Sequence, residues 1–185
     1  MNKCLGNNNH MRICEDNINT NRLTLRRFML NDAQAMFDNW ASDPEVTKYL
    51  TWDTHPNVEV TKQIIKEWVK QYDDPATVRF AITLKDTGEL IGGIDVVKYV
   101  DCVPEIGYCL SKKYWNKGYM SEACKALVDY LFSLGHKKIM IRAETRNIAS
   151  NRVILKCGFS FVKNVKKLVD NRELDINCYE VNNTL

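Results

Sequence analysis

The chain of 185 residues has only three histidines, and its seven cysteines stand at irregular positions without a single C-x-x-C pair. A structural zinc site needs closely spaced nitrogen and sulfur ligands, and a disulfide framework needs an even set of cysteines; neither is suggested. No metal is expected, and a reducing, cytoplasmic setting is the default. No apolar run approaches the roughly 20 residues that cross a bilayer, so no membrane partner is expected. The stretch up to Asn19 is rich in Asn and lacks the apolar core of a secretory signal. Residues 1–19 read as a mobile extension and residues 20–185 as one domain, without repeats or internal linkers. The net charge of +3 is small and dispersed, which argues against a nucleic-acid partner. One local cluster, Lys163-Asn164-Val165-Lys166-Lys167, is either the solvated face of a hairpin or the rim of a site.

What is present is a hydrophobic share of 45%, enough for one sizeable core. Alternation predicts a strand at Arg22 to Phe28, with Leu23 and Leu25 on its buried face. A helix capped by Asn31 or Asp32 follows, carrying Ala35, Met36, Asn39 and Trp40 at helical spacing until Asp43-Pro44 stops it. A second apolar stripe runs from Val60 through Ile64, Ile65, Trp68 and Val69 to Tyr72. Strands from Val78 to Leu84 and from Leu90 to Val100 flank Lys85-Asp86-Thr87-Gly88-Glu89, a hairpin turn by its Asp and Gly. Within the second of these, Gly92-Gly93 marks a bulge, close packing or close substrate approach. The rest reads as a strand to Leu110, a helix from Met120 to Leu134, a strand from Lys138 to Thr145, and a helix from Asn147. Strands from Phe159 to Leu168 and from Glu173 to Val181 close the chain around a turn at Asp170-Asn171.

The most informative stretch is Trp115-Asn116-Lys117-Gly118-Tyr119-Met120-Ser121-Glu122-Ala123, a glycine-containing loop at the mouth of a helix. A glycine there lets backbone N–H groups approach an anion closely, and the helix N-terminus adds positive partial charge. Alone this is a weak signal. In the order strand, loop, helix, strand, helix, with Asn147-Ile148-Ala149-Ser150-Asn151 opening the second helix, it reads as a pyrophosphate cradle.

Four segments, Arg22-Leu23-Thr24-Leu25-Arg26, Glu105-Ile106-Gly107-Tyr108-Cys109-Leu110, Trp115 to Ala123, and Asn147 to Phe159, together resemble the GNAT superfamily of acyl-CoA-dependent N-acetyltransferases. The likeness is to its ribosomal-protein-alanine acetyltransferase, or RimJ/RimL-like, branch. It implies an α/β (α+β) GNAT fold, a strongly twisted, mostly antiparallel sheet of about seven strands flanked by about four helices. Its splayed central strand pair would hold the pantetheine arm of acetyl-CoA. No side chain is required for the oxyanion, whose implied donor is a backbone N–H near Cys109 or Leu110.

By the same resemblance, Tyr108, Cys109 and Leu110 contact pantetheine, and Asn116, Lys117, Gly118, Tyr119, Met120 and Ser121 contact pyrophosphate. Asn147 is expected on the pantetheine arm, and Asn151 and Lys156 at the adenosine phosphate end, although Lys156 also reads as a helix-surface charge. Glu105 is the candidate general base, or else a turn-capping carboxylate after Pro104. Ser150 is the candidate donor to the departing thiolate, or else a first-turn helix residue. Where many relatives carry a tyrosine acid this chain has Ile154, so Ser150 or water must serve instead. Asn116 and Met120 depart from the commonest loop pattern, and Asn tolerates a left-handed backbone. The acceptor is an amine, a peptide N-terminus or a small molecule, bounded by residues 40–52 and the hairpin after Lys163. A non-catalytic acyl-CoA-binding module is the other class, and a homodimer through the C-terminal strands would be unsurprising.

Overall fold

The computed structural model describes residues 17–169 and 172–183. Residues 1–16 of the expected extension and the Asp170-Asn171 turn lie outside the described residues. The remainder of that extension is a strand, β1 (Asn17–Asn19), whose Ile18 pairs with Leu25, so ordered structure begins earlier than Thr20.

β2 (Leu23–Arg26) is short because only Leu23 and Leu25 point inward, and both are completely buried. The single helix expected next is divided into a 3-10 turn (Leu30–Asp32), α1 (Ala33–Met36) and a π-type turn (Phe37–Ala41). Asp32 does not cap forward; its carboxylate accepts from the Met29 N–H and from Arg26 behind it. In the wide turn Asn39 donates to the Leu90 carbonyl at 2.6 Å and Trp40 is fully buried. After the Asp43 cap, α2 (Pro44–Thr47) is a single turn, and α3 (Val58–Gln71) starts on Asn57, whose side chain accepts from the Glu59 and Val60 N–H groups.

β3 (Arg79–Leu84), β4 (Leu90–Val100) and β5 (Val103–Leu110) form the expected meander. α4 (Tyr119–Ser133), β6 (Lys138–Glu144), α5 (Ile148–Lys156), β7 (Ser160–Val169) and β8 (Arg172–Asn182) complete the chain. The eight strands make one sheet in the order β1-β2-β3-β4-β5-β6-β8-β7. Every neighbouring pair is antiparallel except β5 and β6. This is the mixed, mostly antiparallel sheet that the resemblance implies, with eight strands among the described residues.

The sheet separates two apolar clusters. One packs α4 and α5 through Ala123, Leu127, Leu131 and Ile154 onto Ile106, Ile139 and Ile141; the other packs α1, the wide turn and α3 through Met36, Trp40 and Ile65 onto Ala81 and Leu90. Each fully buried aliphatic side chain contributes about 1.5–3 kcal/mol before entropy is counted. Between the faces, β4 carries the paired glycines. The bulge is real, since Ile82 pairs with Gly92 and Thr83 with Leu90, and so is the close packing.

Candidate functional site

β5 and β6 are paired only at Glu105 with Met140 and Ile106 with Ile141, although β5 runs on to Leu110 and β6 to Glu144. Beyond Ile106 the two strands part and leave a gap. Gly92 sets the other edge of β5: a Cβ there would lie 2.4 Å from the Cys109 carbonyl oxygen, so β4 closes on β5 only because residue 92 has none. Because the Cys109 carbonyl faces β4 and the peptide is planar and trans, the Leu110 N–H points the other way, into the gap. The next peptide agrees. Ser111 N–H donates to Ile91 at 2.8 Å, which turns the Leu110 carbonyl to the gap, where the Trp115 indole N–H donates to it at 2.8 Å. By strand alternation Tyr108 shares this edge, while the Cys109 backbone is spent on β4. Of the two N–H groups nominated from the sequence, only that of Leu110 is directed into the gap. The Cys109 thiol is pushed up to about 12 by burial, which keeps it an unreactive thiol.

The loop after β5 is shaped by two left-handed residues, Asn116 at φ 61° and Gly118 at φ 80°. α4 follows with no side-chain cap, so its first N–H groups have no intrahelical partner and face outward from the helix end. Met120 packs into the core, and Ser121 beside it is buried as well. Arg22 pins the loop from β2's side: its Nε donates to Glu122 at 2.7 Å, its Nη1 to the Lys117 carbonyl at 3.1 Å, and its guanidinium lies 4.3 Å from the Tyr119 ring centre. Burial raises the Glu122 carboxyl, but the Thr20 hydroxyl and the Arg22 N–H and guanidinium outweigh it and hold the group below its ordinary range. The Lys117 ammonium sits over the Tyr114 ring.

α5 brings the other half of the gap. Asn147 caps it, its side-chain oxygen accepting from the Ser150 N–H at 3.1 Å. The Ser150 hydroxyl lies 3.0 Å from the Tyr108 hydroxyl, which is also 3.2 Å from the Ser150 carbonyl. Asn151 is a correction. Its side chain is buried and fully committed: Nδ2 donates to the Glu144 and Asn147 carbonyls, and Oδ1 accepts from Tyr179 at 2.6 Å and Asn177 at 3.0 Å. No valence is left for a phosphate. Lys156 is exposed at the far, C-terminal end of α5, where a cation suits the helix dipole. Ile154 is completely buried.

Glu105 stands at the closed end of the β5–β6 pair, not in the gap. It accepts from Arg142 on β6 through both oxygens, with Nε to Oε1 at 2.9 Å, and Lys98 approaches to 3.7 Å. Pro104 precedes it, but it caps no turn. Two register steps nearer the gap, Asp95 of β4 faces Gly107 of β5 and is held by Arg79 at 3.0 Å. Burial pushes the Asp95 carboxyl up and Arg79 opposes this. Over the mouth, the loop after α2 brings the Tyr49 hydroxyl to 3.4 Å from the Arg146 carbonyl.

Sequence inspection missed Arg142, Asp95 with Arg79, and the phenol of Tyr108. For Tyr108 a signal existed: two-residue alternation along β5 puts it on the same face as Ile106, toward α5. Among the described residues no group of His, Cys, Asp and Glu is placed to hold a metal, and no helix is long and apolar enough to cross a membrane.

Comparison with known proteins adds independent information. Residues 22–160 match the model of the acetyltransferase (GNAT) domain family. The chain is 36% identical over 143 residues to an uncharacterized N-acetyltransferase, p20, of Bacillus licheniformis, covering 76% of this chain and 80% of that protein. A crystal structure of a GNAT-family acetyltransferase from Bacillus anthracis superposes with a TM-score of 0.80 at 28% identity, covering 90% of this chain and 98% of the other. The ribosomal L7/L12 α-N-protein acetyltransferase RimL, solved in complex with coenzyme A, superposes with a TM-score of 0.79 at 19% identity, covering 90% and 97%. That last likeness speaks to fold alone.

Proposed function

The chain belongs to the GNAT acetyltransferase domain family and is an acyl-CoA-dependent N-acetyltransferase, and we propose that its acceptor is the α-amino group of a protein or peptide N-terminus. The observation that carries the donor half is the gap beyond Ile106, edged by the backbone of Tyr108 and Leu110 and standing beside the uncapped start of α4. A diphosphate suits the N–H groups of Asn116 to Ser121, where two left-handed residues turn successive donors the same way. The pantetheine amides then bond the free edge of β5, and the unpaired Nδ2 of Asn147 serves the same arm.

Three tasks remain at the thioester. The amine nitrogen forms a bond to the carbonyl carbon, the C–S bond breaks with its electron pair on sulfur, and the ammonium proton leaves nitrogen. The Leu110 N–H bonds the oxyanion as charge moves onto oxygen. Ser150 donates to the sulfur. Glu105, clamped by Arg142 and set back from the gap, takes the nitrogen proton through an intervening water.

The acceptor assignment rests on the motif likeness to the RimJ/RimL branch and on amine chemistry. An α-amino group titrates near 8 and a lysine near 10.4, so at pH 7.5 roughly a quarter of the former but only about 0.1% of the latter is unprotonated. A carboxylate working through water favours the amine that needs the least help. The test is thiol release from acetyl-CoA against peptides with free Ala or Ser N-termini, the same peptides N-blocked, polyamines and aminoglycoside-type amines, beside calorimetry with acetyl-CoA. Release with free N-termini alone is expected. Release only with small-molecule amines overturns the acceptor, and absence of acetyl-CoA binding overturns the donor site.

A further inference from the structure

Tyr108 leaves β5 toward α5 and meets Ser150 twice, with its hydroxyl 3.0 Å from the side-chain oxygen and 3.2 Å from the backbone carbonyl. Each hydroxyl has one proton, and a carbonyl can only accept. Two arrangements satisfy this. In one the phenol donates to the Ser150 carbonyl and the serine hydroxyl donates back to the phenol, which uses up both protons inside the pair. In the other the phenol donates to the serine oxygen, and the serine proton is free to point away from it. The Ser150 N–H plays no part, since Asn147 holds it.

We infer that Tyr108 is a positioning residue for acyl transfer, whose phenol turns the Ser150 hydroxyl outward so that its proton meets the sulfur as the C–S bond breaks. This inference rests on the assignment of Ser150 made above. Negative charge arriving on sulfur selects the second arrangement, because only there does a donor face it. Two hydroxyls in series polarise one another, so the bond to sulfur is stronger than a lone serine would make. No proton changes owner within the pair. Burial pushes the phenol well above its ordinary range, so it stays protonated beside a thiolate that is a far weaker base. The departing sulfur takes its proton from solvent afterwards. The other titratable groups facing the phenol are the Cys124 and Cys157 thiols, which both raise it further.

The experiment is a double-mutant cycle read in kcat and in KM for acetyl-CoA, with melting temperature as the control on folding. Tyr108→Phe should lower kcat about 3- to 10-fold, the worth of one neutral hydrogen bond, and leave KM within about 2-fold. Ser150→Ala should lower kcat about 10- to 100-fold. Adding Tyr108→Phe to Ser150→Ala should cost almost nothing further, and Ser150→Thr should keep the sensitivity to Tyr108. If Tyr108→Phe costs the same factor in both backgrounds, or nothing while Ser150→Ala slows turnover, the inference falls and the serine assignment stands. If Ser150→Ala is silent, both fall. Should the phenylalanine variant not fold, 3,5-difluorotyrosine placed at 108 retains every contact with a far more acidic phenol. It should then give kcat an alkaline limb absent from the wild type, as the phenol ionises and ceases to donate; a profile unchanged across the pH range in which its absorbance shows the phenol ionising overturns the inference.

Discussion

Replacing Glu105 by Gln tests two roles at once, and its partner Arg142 separates them. Glu105 is 11% exposed at its side chain and Arg142 33%, and their paired contact ties β5 to β6 where the two strands part. Breaking a fully buried ion pair costs about 3–5 kcal/mol; with a third of the Arg142 side chain exposed and Lys98 still nearby, about 1–3 kcal/mol is expected here. For a chain of this size that lowers the melting temperature by roughly 2–4 °C per kcal/mol. Arg142→Met keeps the carboxylate, replaces the guanidinium by an apolar stem and should destabilise by a similar amount. Catalysis distinguishes the two variants. If Glu105 takes the nitrogen proton through water, Glu105→Gln lowers kcat about 100-fold or more, while Arg142→Met stays within about 10-fold. The assay is thiol release at saturating acceptor, with thermal melts of both proteins alongside. Equal losses of activity in the two variants, in step with their losses of stability, would refute the base assignment and leave Glu105 as a cross-strand tie.

Gly118→Ala forces a left-handed backbone on a residue with a Cβ, at a cost of about 1–2 kcal/mol, and should raise KM for acetyl-CoA several-fold with kcat little changed; isothermal titration of CoA reads the same loss directly. Asn151→Ala strands the groups now bonded to it and should cost about 2–4 kcal/mol in urea melts, with Tyr179→Phe losing about 1 kcal/mol of that alone. The Glu122 carboxyl is held low in the folded chain, so its contribution is fully present above the unfolded value of 4.5 and is lost as pH falls through the lower folded value. Arg22→Met removes the guanidinium's share of that dependence and leaves the Thr20 hydroxyl and the Arg22 backbone N–H in place, so melts of the two proteins should draw together in acid and separate toward neutrality; parallel curves would contradict it.

The fold was legible because its elements announce themselves locally. β4 begins and ends where the apolar run does, and α4 opens at the glycine loop, both within a residue of the expectation. The misjudged region lies between Leu30 and Ala41, where one helical pattern became three kinds of turn. Nothing in a 3.6-residue period signals that Asn39 must reach the Leu90 carbonyl, a contact 51 residues distant. The shape of the loop before α4 was equally legible, since left-handed Asn116 and Gly118 leave a compositional trace. Side-chain partnerships left none. Glu105 looks like a free carboxylate until β6 delivers Arg142, and Asn151 looks like a ligand donor until β8 delivers Asn177 and Tyr179. Both partnerships are made by strands that join the sheet later in the chain, and period and spacing say nothing about pairing across such distances.

The knot of hydrogen bonds at Asn151 gives the order of synthesis a bearing on activity. Its amide oxygen waits for two side chains of β8, which is made after α5, while the residue before it carries the hydroxyl proposed to serve the sulfur. A nascent chain that has made the glycine loop, β6 and α5 therefore has the groups proposed for transfer but lacks the two bonds to the Asn151 oxygen that tie the start of α5 to β8. Acetyl transfer should begin only once Asn177 and Tyr179 have emerged, and a chain stopped before them should retain the anion-binding loop without turnover.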